Sequence, residues 1–190
     1  MEYDKITADP VRGPEIGRMY LDASPFVTTL AHHAYRQFAD QVERQYRRMT
    51  MVDRIKVEFQ DDDPYTDWRD MVADVTVNRR LKVYRTPVDG TQDHPLLRRD
   101  ENNMFRAVHD YYGHHGAGQG SPVSFTRHGE EAAWVRHSQM FTGLARRAMT
   151  TETRGQNSAF IWINGGREFP QQKAVLLPDW VSDVPERWSS

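Results

Sequence analysis

At 190 residues, 38% hydrophobic and 27% charged, the chain has the size and balance of one domain with a real core. A formal net charge of −2 argues against a general binder of nucleic acid or membrane surfaces. The absence of cysteine excludes disulfides, thiolate metal sites and cysteine nucleophiles. The start, Met1 to Lys5, lacks the basic-then-apolar pattern of a signal peptide, and no apolar run approaches the roughly 20 residues of a spanning helix. The expected location is therefore the cytoplasm, with no membrane partner.

Residues 1–23 contain Pro10, Gly13, Pro14 and Gly17 without clean periodicity and are expected to form an irregular arm. Ser24-Pro25 reads as a capped helix start. Phe26, Leu30, Ala34, Phe38, Val42 and Tyr46 then recur at steps of four, one apolar face of a long helix reaching about Met49. Ile55 to Phe59 alternates like a half-buried strand, and Asp61-Asp62-Asp63-Pro64 breaks it as a solvated turn. Thr66 is read as the cap of a second helix that buries Trp68, Met71, Val72 and Val75. Leu81 to Tyr84 is a second short strand, expected beside the first.

After a turn-rich loop over 86–99, Asp100 is read as the cap of a third helix carrying Met104, Phe105, Val108 and Tyr112. Residues 113–126 are rich in glycine and are expected to form a mobile loop or lid. A fourth helix is expected over about Gly129 to Phe141 and a fifth over about Leu144 to Thr151. Beyond Gly155 the chain reads as irregular, with a short strand at Phe160–Ile163 and a proline-bearing tail over 164–190. The whole predicts one α+β domain over 1–190, mainly helical, with a two- or three-stranded sheet.

Five of the eight histidines fall between His109 and His137. The focus is His109-Asp110-Tyr111-Tyr112-Gly113-His114-His115. Metal-binding histidines on a straight helix sit four apart, stacked on one face. His109 and His114 are five apart, about 140° round an α-helix. They converge only if the helix ends or bends between them, and Gly113 stands where that would happen. Asp110 is placed to hold the second nitrogen of an imidazole.

His109-Asp110-Tyr111-Tyr112-Gly113-His114 resembles the His-Glu-x-x-Gly-His motif of the aromatic amino acid hydroxylases. Thr150-Thr151-Glu152-Thr153-Arg154-Gly155 resembles that family's later glutamate segment. The resemblance implies iron(II) held by His109, His114 and Glu152, with open positions for oxygen and substrate. It covers about 50 residues and lacks a recognisable pterin-binding stretch. The wider segment also resembles small proteins encoded by actinobacterial phages, which implies a host-cell cytoplasm and, as context, a nucleotide substrate.

Other sets compete. His109 and His114 can be completed by Glu130 or Glu131, and His137 as a third imidazole would suit zinc. Glu130 or Glu131 is otherwise the acid–base candidate, with Asp110. Trp134 and Arg154 are expected to line the pocket, and Arg154 and Asn157 to grip an anionic or amide-bearing substrate. The expected function is a non-haem iron(II) enzyme acting oxidatively on a small molecule or nucleotide. A zinc hydrolase built on the same histidines, and a non-catalytic virion or host-interaction protein, are the alternatives. Scattered arginine pairs allow a nucleic-acid partner that the net charge does not support.

Overall fold

A computed structural model describes residues 1–90 and 92–184 and shows a single, mainly helical α+β domain with a two-stranded parallel sheet. Pro185 and Trp188 of the tail lie outside the described residues. The helices are α1 (Arg12–Asp22), α2 (Thr29–Arg47), α3 (Trp68–Asn78), α4 (Arg99–Val108), α5 (Arg127–Ser138) and α6 (Leu144–Thr150). The strands are β1 (Lys56–Gln60) and β2 (Arg80–Tyr84), paired from Lys56 with Arg80 to Gln60 with Tyr84. With α3 as the crossover they form a β-α-β unit, which parallel pairing requires. None of the described helices is long and apolar enough to cross a membrane.

Helix α2 is the spine. Thr28 caps it, its Oγ1 accepting from the Ala31 N–H at 3.1 Å. The helix therefore begins after Ser24-Pro25, and Phe26 is left 84% exposed instead of joining the apolar face. Ala31, Ala34, Tyr35, Phe38, Ala39 and Val42 are buried against α4 and α6. Phe38 meets Phe105 of α4 and Phe141 at ring-centroid distances of 4.9 and 5.4 Å. One polar residue, Gln45, continues this stripe and is also buried.

Residues 12–22, expected to be irregular, form α1. Pro14 lies in its first turn, where the N–H it lacks has no helical acceptor anyway. Gly17 allows close approach: a Cβ there would lie 2.8 Å from the Ser158 carbonyl oxygen. Ile16 and Tyr20 bury against Ala159, Leu177 and Val181. Lys173 donates to the carbonyls of Tyr20, Leu21 and Ala23, closing the C-terminal end of α1.

Two further caps are shifted slightly from expectation. Asp67, not Thr66, caps α3. Arg98 precedes α4, with its N–H donated to Glu101 Oε2 at 2.8 Å, so Asp100 sits inside the first turn. Thr126 caps α5. The larger correction is at the end of α6. It does not stop but runs on through Thr151–Gly155, Gln156–Ser158 and Ala159–Ile163, with wide π turns in the first and last of these. Phe160–Ile163 is thus helical, not a strand, because it packs against α1 instead of a sheet edge. A further π turn, His109–His114, continues α4.

The loop over 115–126 is tied down at several points. Arg136 is fully buried and donates to the carbonyls of Gly113 and Ser121. The Val123 side chain is buried, and its N–H donates to the His114 carbonyl at 2.8 Å.

Candidate metal centre

The π turn is what brings the two histidines together. Its hydrogen bonds span five residues instead of four, as where the His115 N–H reaches the Asp110 carbonyl at 2.8 Å. One extra residue per turn stacks positions five apart, so His114 lies under His109. Their ring centroids are 5.2 Å apart and nearly perpendicular. Gly113 does not end the helix, as its position suggested. A Cβ there would lie 3.1 Å from His109 Nδ1 and 3.3 Å from the Ala133 carbonyl oxygen. Glycine lets the ring fold back over the turn while α5 packs close behind it.

A chain of hydrogen bonds fixes which His109 nitrogen faces the cavity. The Gln45 amide donates to the Met140 carbonyl, leaving Oε1 as an acceptor 2.7 Å from His137 Nε2. His137 therefore carries its proton on Nε2 and presents a lone pair at Nδ1. That lone pair lies 3.2 Å from His109 Nδ1, which must be the donor. His109 Nε2 is left with a bare lone pair, buried and without a hydrogen-bond partner. Burial and the neighbouring histidines hold His109 well below the ordinary imidazole range. Burial pushes His137 down to about 3. His137 has both nitrogens engaged, so it orients His109 and does not serve as a third ligand.

Glu130, in the first turn of α5, completes the group. Its Oε1 lies 3.5 Å from His114 Nε2, and its Oε2 accepts from Asn157 Nδ2 at 2.7 Å. Burial opposes charge on His114, but Glu130 and Asp110 lift it above its ordinary pKa. One ligand atom from each of His109, His114 and Glu130 can be chosen so that all lie within 4.8 Å of one another. Ligands about 2.0–2.2 Å from one ion lie some 3–4 Å apart, so a small side-chain adjustment closes the site. His109 Nε2 and His114 Nδ1 are both buried without partners. The His109 Nε2 lone pair, which faces no donor among the described residues, is one that a cation can fill.

These residues sit in the wall of a cavity of about 950 Å³ shared with Asp110, Asn102, Phe105, Glu152 and Asn157. Desolvation pushes the Asp110 carboxyl up to about 7, against the pull of His114 and Arg106. Asp110 makes no hydrogen bond to an imidazole among the described residues, so its expected orienting role falls instead to His137.

Glu152 faces the same cavity but lies outside the metal-compatible group. Its Oε1 accepts from the Tyr35 hydroxyl at 2.5 Å and from His94 Nε2 at 3.2 Å. Its Oε2 accepts from Gln156 Nε2 at 2.6 Å. Glu131, Arg154 and Trp134 lie behind the cavity. Arg154 forms a two-pronged ion pair with Glu131 at 3.1 and 2.6 Å, stacks 4.1 Å over Trp134, and donates to the Val181 carbonyl. With its donors so committed, Arg154 is not placed to grip a substrate. Asn157 reaches the cavity, but its amide holds Glu130.

Sequence reasoning assigned no part in the site to Gln45, Tyr35, Gln156 or His94. A signal existed for Gln45, the one polar residue on the buried stripe of α2. His94 does hold its loop, since Nδ1 accepts from the Leu96 and Leu97 N–H groups at 3.0 and 2.9 Å. Its other nitrogen serves Glu152, which no spacing rule reveals. No protein family, curated protein or solved structure matches the chain.

Proposed function

We propose that the protein is a mononuclear non-haem metal enzyme, with His109, His114 and Glu130 as ligands and iron(II) as the metal, acting oxidatively on a small organic substrate. The observation that carries this reading is the convergence of the three side chains on one cavity wall, with the His109 lone pair aimed by the Gln45–His137 chain. Two imidazoles and one carboxylate are the donor set of non-haem iron(II) oxygenases. Such an ion supplies one-electron chemistry with oxygen while keeping positions open for substrate. The chain's own residues do the rest. His137 keeps His109 neutral and in one tautomer. Asn157 turns one Glu130 oxygen toward the site. Asp110 shares the cavity, where its carboxyl can hold or release a proton. Glu130 replaces Glu152 in the ligand set implied by the hydroxylase resemblance, because Glu130 is the carboxylate within reach of both histidines.

The same Asp110 favours a second reading, a zinc hydrolase in which the same ligands would hold the ion, the ion would supply activation of water, and Asp110 would be the proton acceptor. Metal analysis of protein purified without a histidine tag separates the two. Iron near one per chain supports the oxidative reading, and zinc supports the hydrolytic one. Failure to retain either metal after reconstitution, in folded protein, would end both.

A further inference from the structure

Glu152 is a buried carboxylate with no lysine or arginine paired to it among the described residues. It is 8% exposed, and all three of its hydrogen-bond partners are donors. A proton on the carboxyl could pass only to the Tyr35 hydroxyl oxygen, whose own hydrogen would then be left to the Lys173 and Val175 carbonyls at 3.4 and 3.5 Å, beyond the ordinary O–H···O range. Nor is His94 a hidden cation. Its Nδ1 accepts from two backbone N–H groups, so its single proton lies on Nε2, toward Glu152. Among the described residues, no lysine or arginine lies within ion-pair distance of this carboxylate. Arg106 senses it from farther off but donates to Gln92 and lies over Tyr84.

Buried ionised groups are paired or coordinate a cation. Here three side chains instead hold the charge toward a cavity. An ionised carboxylate accepts about four hydrogen bonds. Glu152 receives two on Oε1 and one on Oε2, leaving acceptor capacity on Oε2. The rest of the wall agrees in sign: Glu130 lies within the cavity and Asp61, Asp62 and Asp63 at its edge, against Arg106 as the one lysine or arginine of the lining among the described residues. Phe105, Phe125 and Phe169 supply apolar surface.

We propose that Glu152 binds the ammonium group of an amine substrate whose apolar part lies on these phenylalanines, beside the His109–His114–Glu130 centre. The proposal rests on the metal-site reading for what happens to the bound amine, but not for the binding itself. Glu152 is then the specificity residue. Tyr35, His94 and Gln156 hold its carboxylate in place, so little side-chain freedom is lost on binding.

The test uses three probes of one shape: phenethylamine, phenethyl alcohol and hydrocinnamate. Each is titrated into the full-length protein, with metal content measured on the same samples. The amine should bind about tenfold or more tightly than the alcohol, and hydrocinnamate weakest, since removing one partner of a buried charge pair weakens binding to at least that degree. Glu152→Gln should abolish the preference for the amine and leave metal content unchanged. Equal binding of amine and alcohol, preference for the acid, or no amine binding would overturn the proposal. So would loss of metal in Glu152→Gln, which would assign the carboxylate to the ion. If that variant does not fold, the wild-type preference still decides, together with the carbon-13 shift of the Glu152 carboxylate on adding amine, which a remote site would leave unmoved. Amine selectivity in protein that takes up no metal would sustain this inference while ending the metal reading. Metal uptake without amine selectivity would do the reverse.

Discussion

His137 Nε2 lies 2.7 Å from Gln45 Oε1, and this contact between α5 and α2 sets the protonation pattern of the metal centre two side chains away. Without an acceptor at Gln45, His137 could carry its proton on either nitrogen. With Nδ1 protonated it would present a donor to His109 Nδ1, and the His109 proton would move to the cavity side. Gln45→Leu should therefore lower metal affinity by about 10–100-fold, the usual range for lost outer-sphere support. It should also destabilise the fold by about 1–3 kcal/mol through the stranded His137 N–H. A chelator competition and a thermal melt on the same variant measure both effects. Unchanged affinity in the folded variant would mean that the histidine chain does not control His109.

The third ligand is decided by a pair of substitutions. Glu130→Gln removes the charge that faces His114 and should abolish stoichiometric metal binding. Glu152→Gln should retain it. Asn157→Ala keeps the Glu130 ligand but frees its second oxygen, so a smaller loss, again about 10–100-fold, is expected. Metal retained in Glu130→Gln and lost in Glu152→Gln would restore the ligand set of the hydroxylase resemblance.

Asp110 gives the metal-free protein a pH signature. Its folded pKa, about 7, lies above the ordinary aspartate value of 3.8. The native state therefore binds the proton more tightly than the unfolded chain. This contribution is fully present below about pH 4 and is lost as pH rises toward and through 7. His109 and His137 act in the opposite sense, since their folded pKa values are depressed. They support stability above the ordinary imidazole pKa and withdraw it as pH falls. The difference between wild type and Asp110→Asn reports the carboxyl together with its pull on His114. The variant should be the more stable at pH 8, and its advantage should shrink steadily down to about pH 4. Each tenfold change in proton affinity corresponds to about 1.4 kcal/mol, a ceiling that water in the cavity lowers. Urea melts of chelator-treated protein across that range test it, and a pH-independent difference would place Asp110 in a wetter setting.

Much of the scaffold could be read from residue order because it follows from local rules. The apolar step of four in α2, the alternation in β1 and the acid-bearing first turns of α3 and α4 each act within a few residues. The failures share another cause. Gly13, Pro14 and Gly17 read as breakers, yet they lie in α1, where Gly13 makes room for the Trp162 ring and Gly17 for the backbone at Ser158. Phe160–Ile163 carries strand-like residues but extends α6 because α1 covers it. Both are tertiary facts. At the site, the histidine pair and the need for a convergence near Gly113 were legible, but the π turn was not, since a 3.6-residue period places the two imidazoles far apart. The choice between Glu130 and Glu152 depends on the angle at which α5 crosses the π turn, which no spacing encodes.

Gly113→Ala tests that π turn most directly. In a helical position alanine is favoured over glycine by roughly 0.5–1 kcal/mol, so backbone preference alone predicts a more stable protein. Against this, the new methyl would sit 3.1 Å from His109 Nδ1, 3.2 Å from its Cε1 and 3.3 Å from the Ala133 carbonyl oxygen. Each neighbour must yield by a few tenths of an ångström. The Ala133 carbonyl belongs to α5 and moves only with that helix, so the His109 ring gives way first. The ring is also held by His137 Nδ1 at 3.2 Å, and tilting it lengthens that hydrogen bond and re-aims Nε2. The two stability terms should nearly cancel, leaving the melting temperature within a few degrees of wild type. Metal affinity should nonetheless fall about tenfold or more, because a ligand set depends on geometry that overall stability does not report. Melting curves and a metal titration on one preparation give the comparison. A variant that binds metal like wild type would show that His109 does not need to lie over Gly113. A large loss of stability would show that α5, and not the ring, had been displaced.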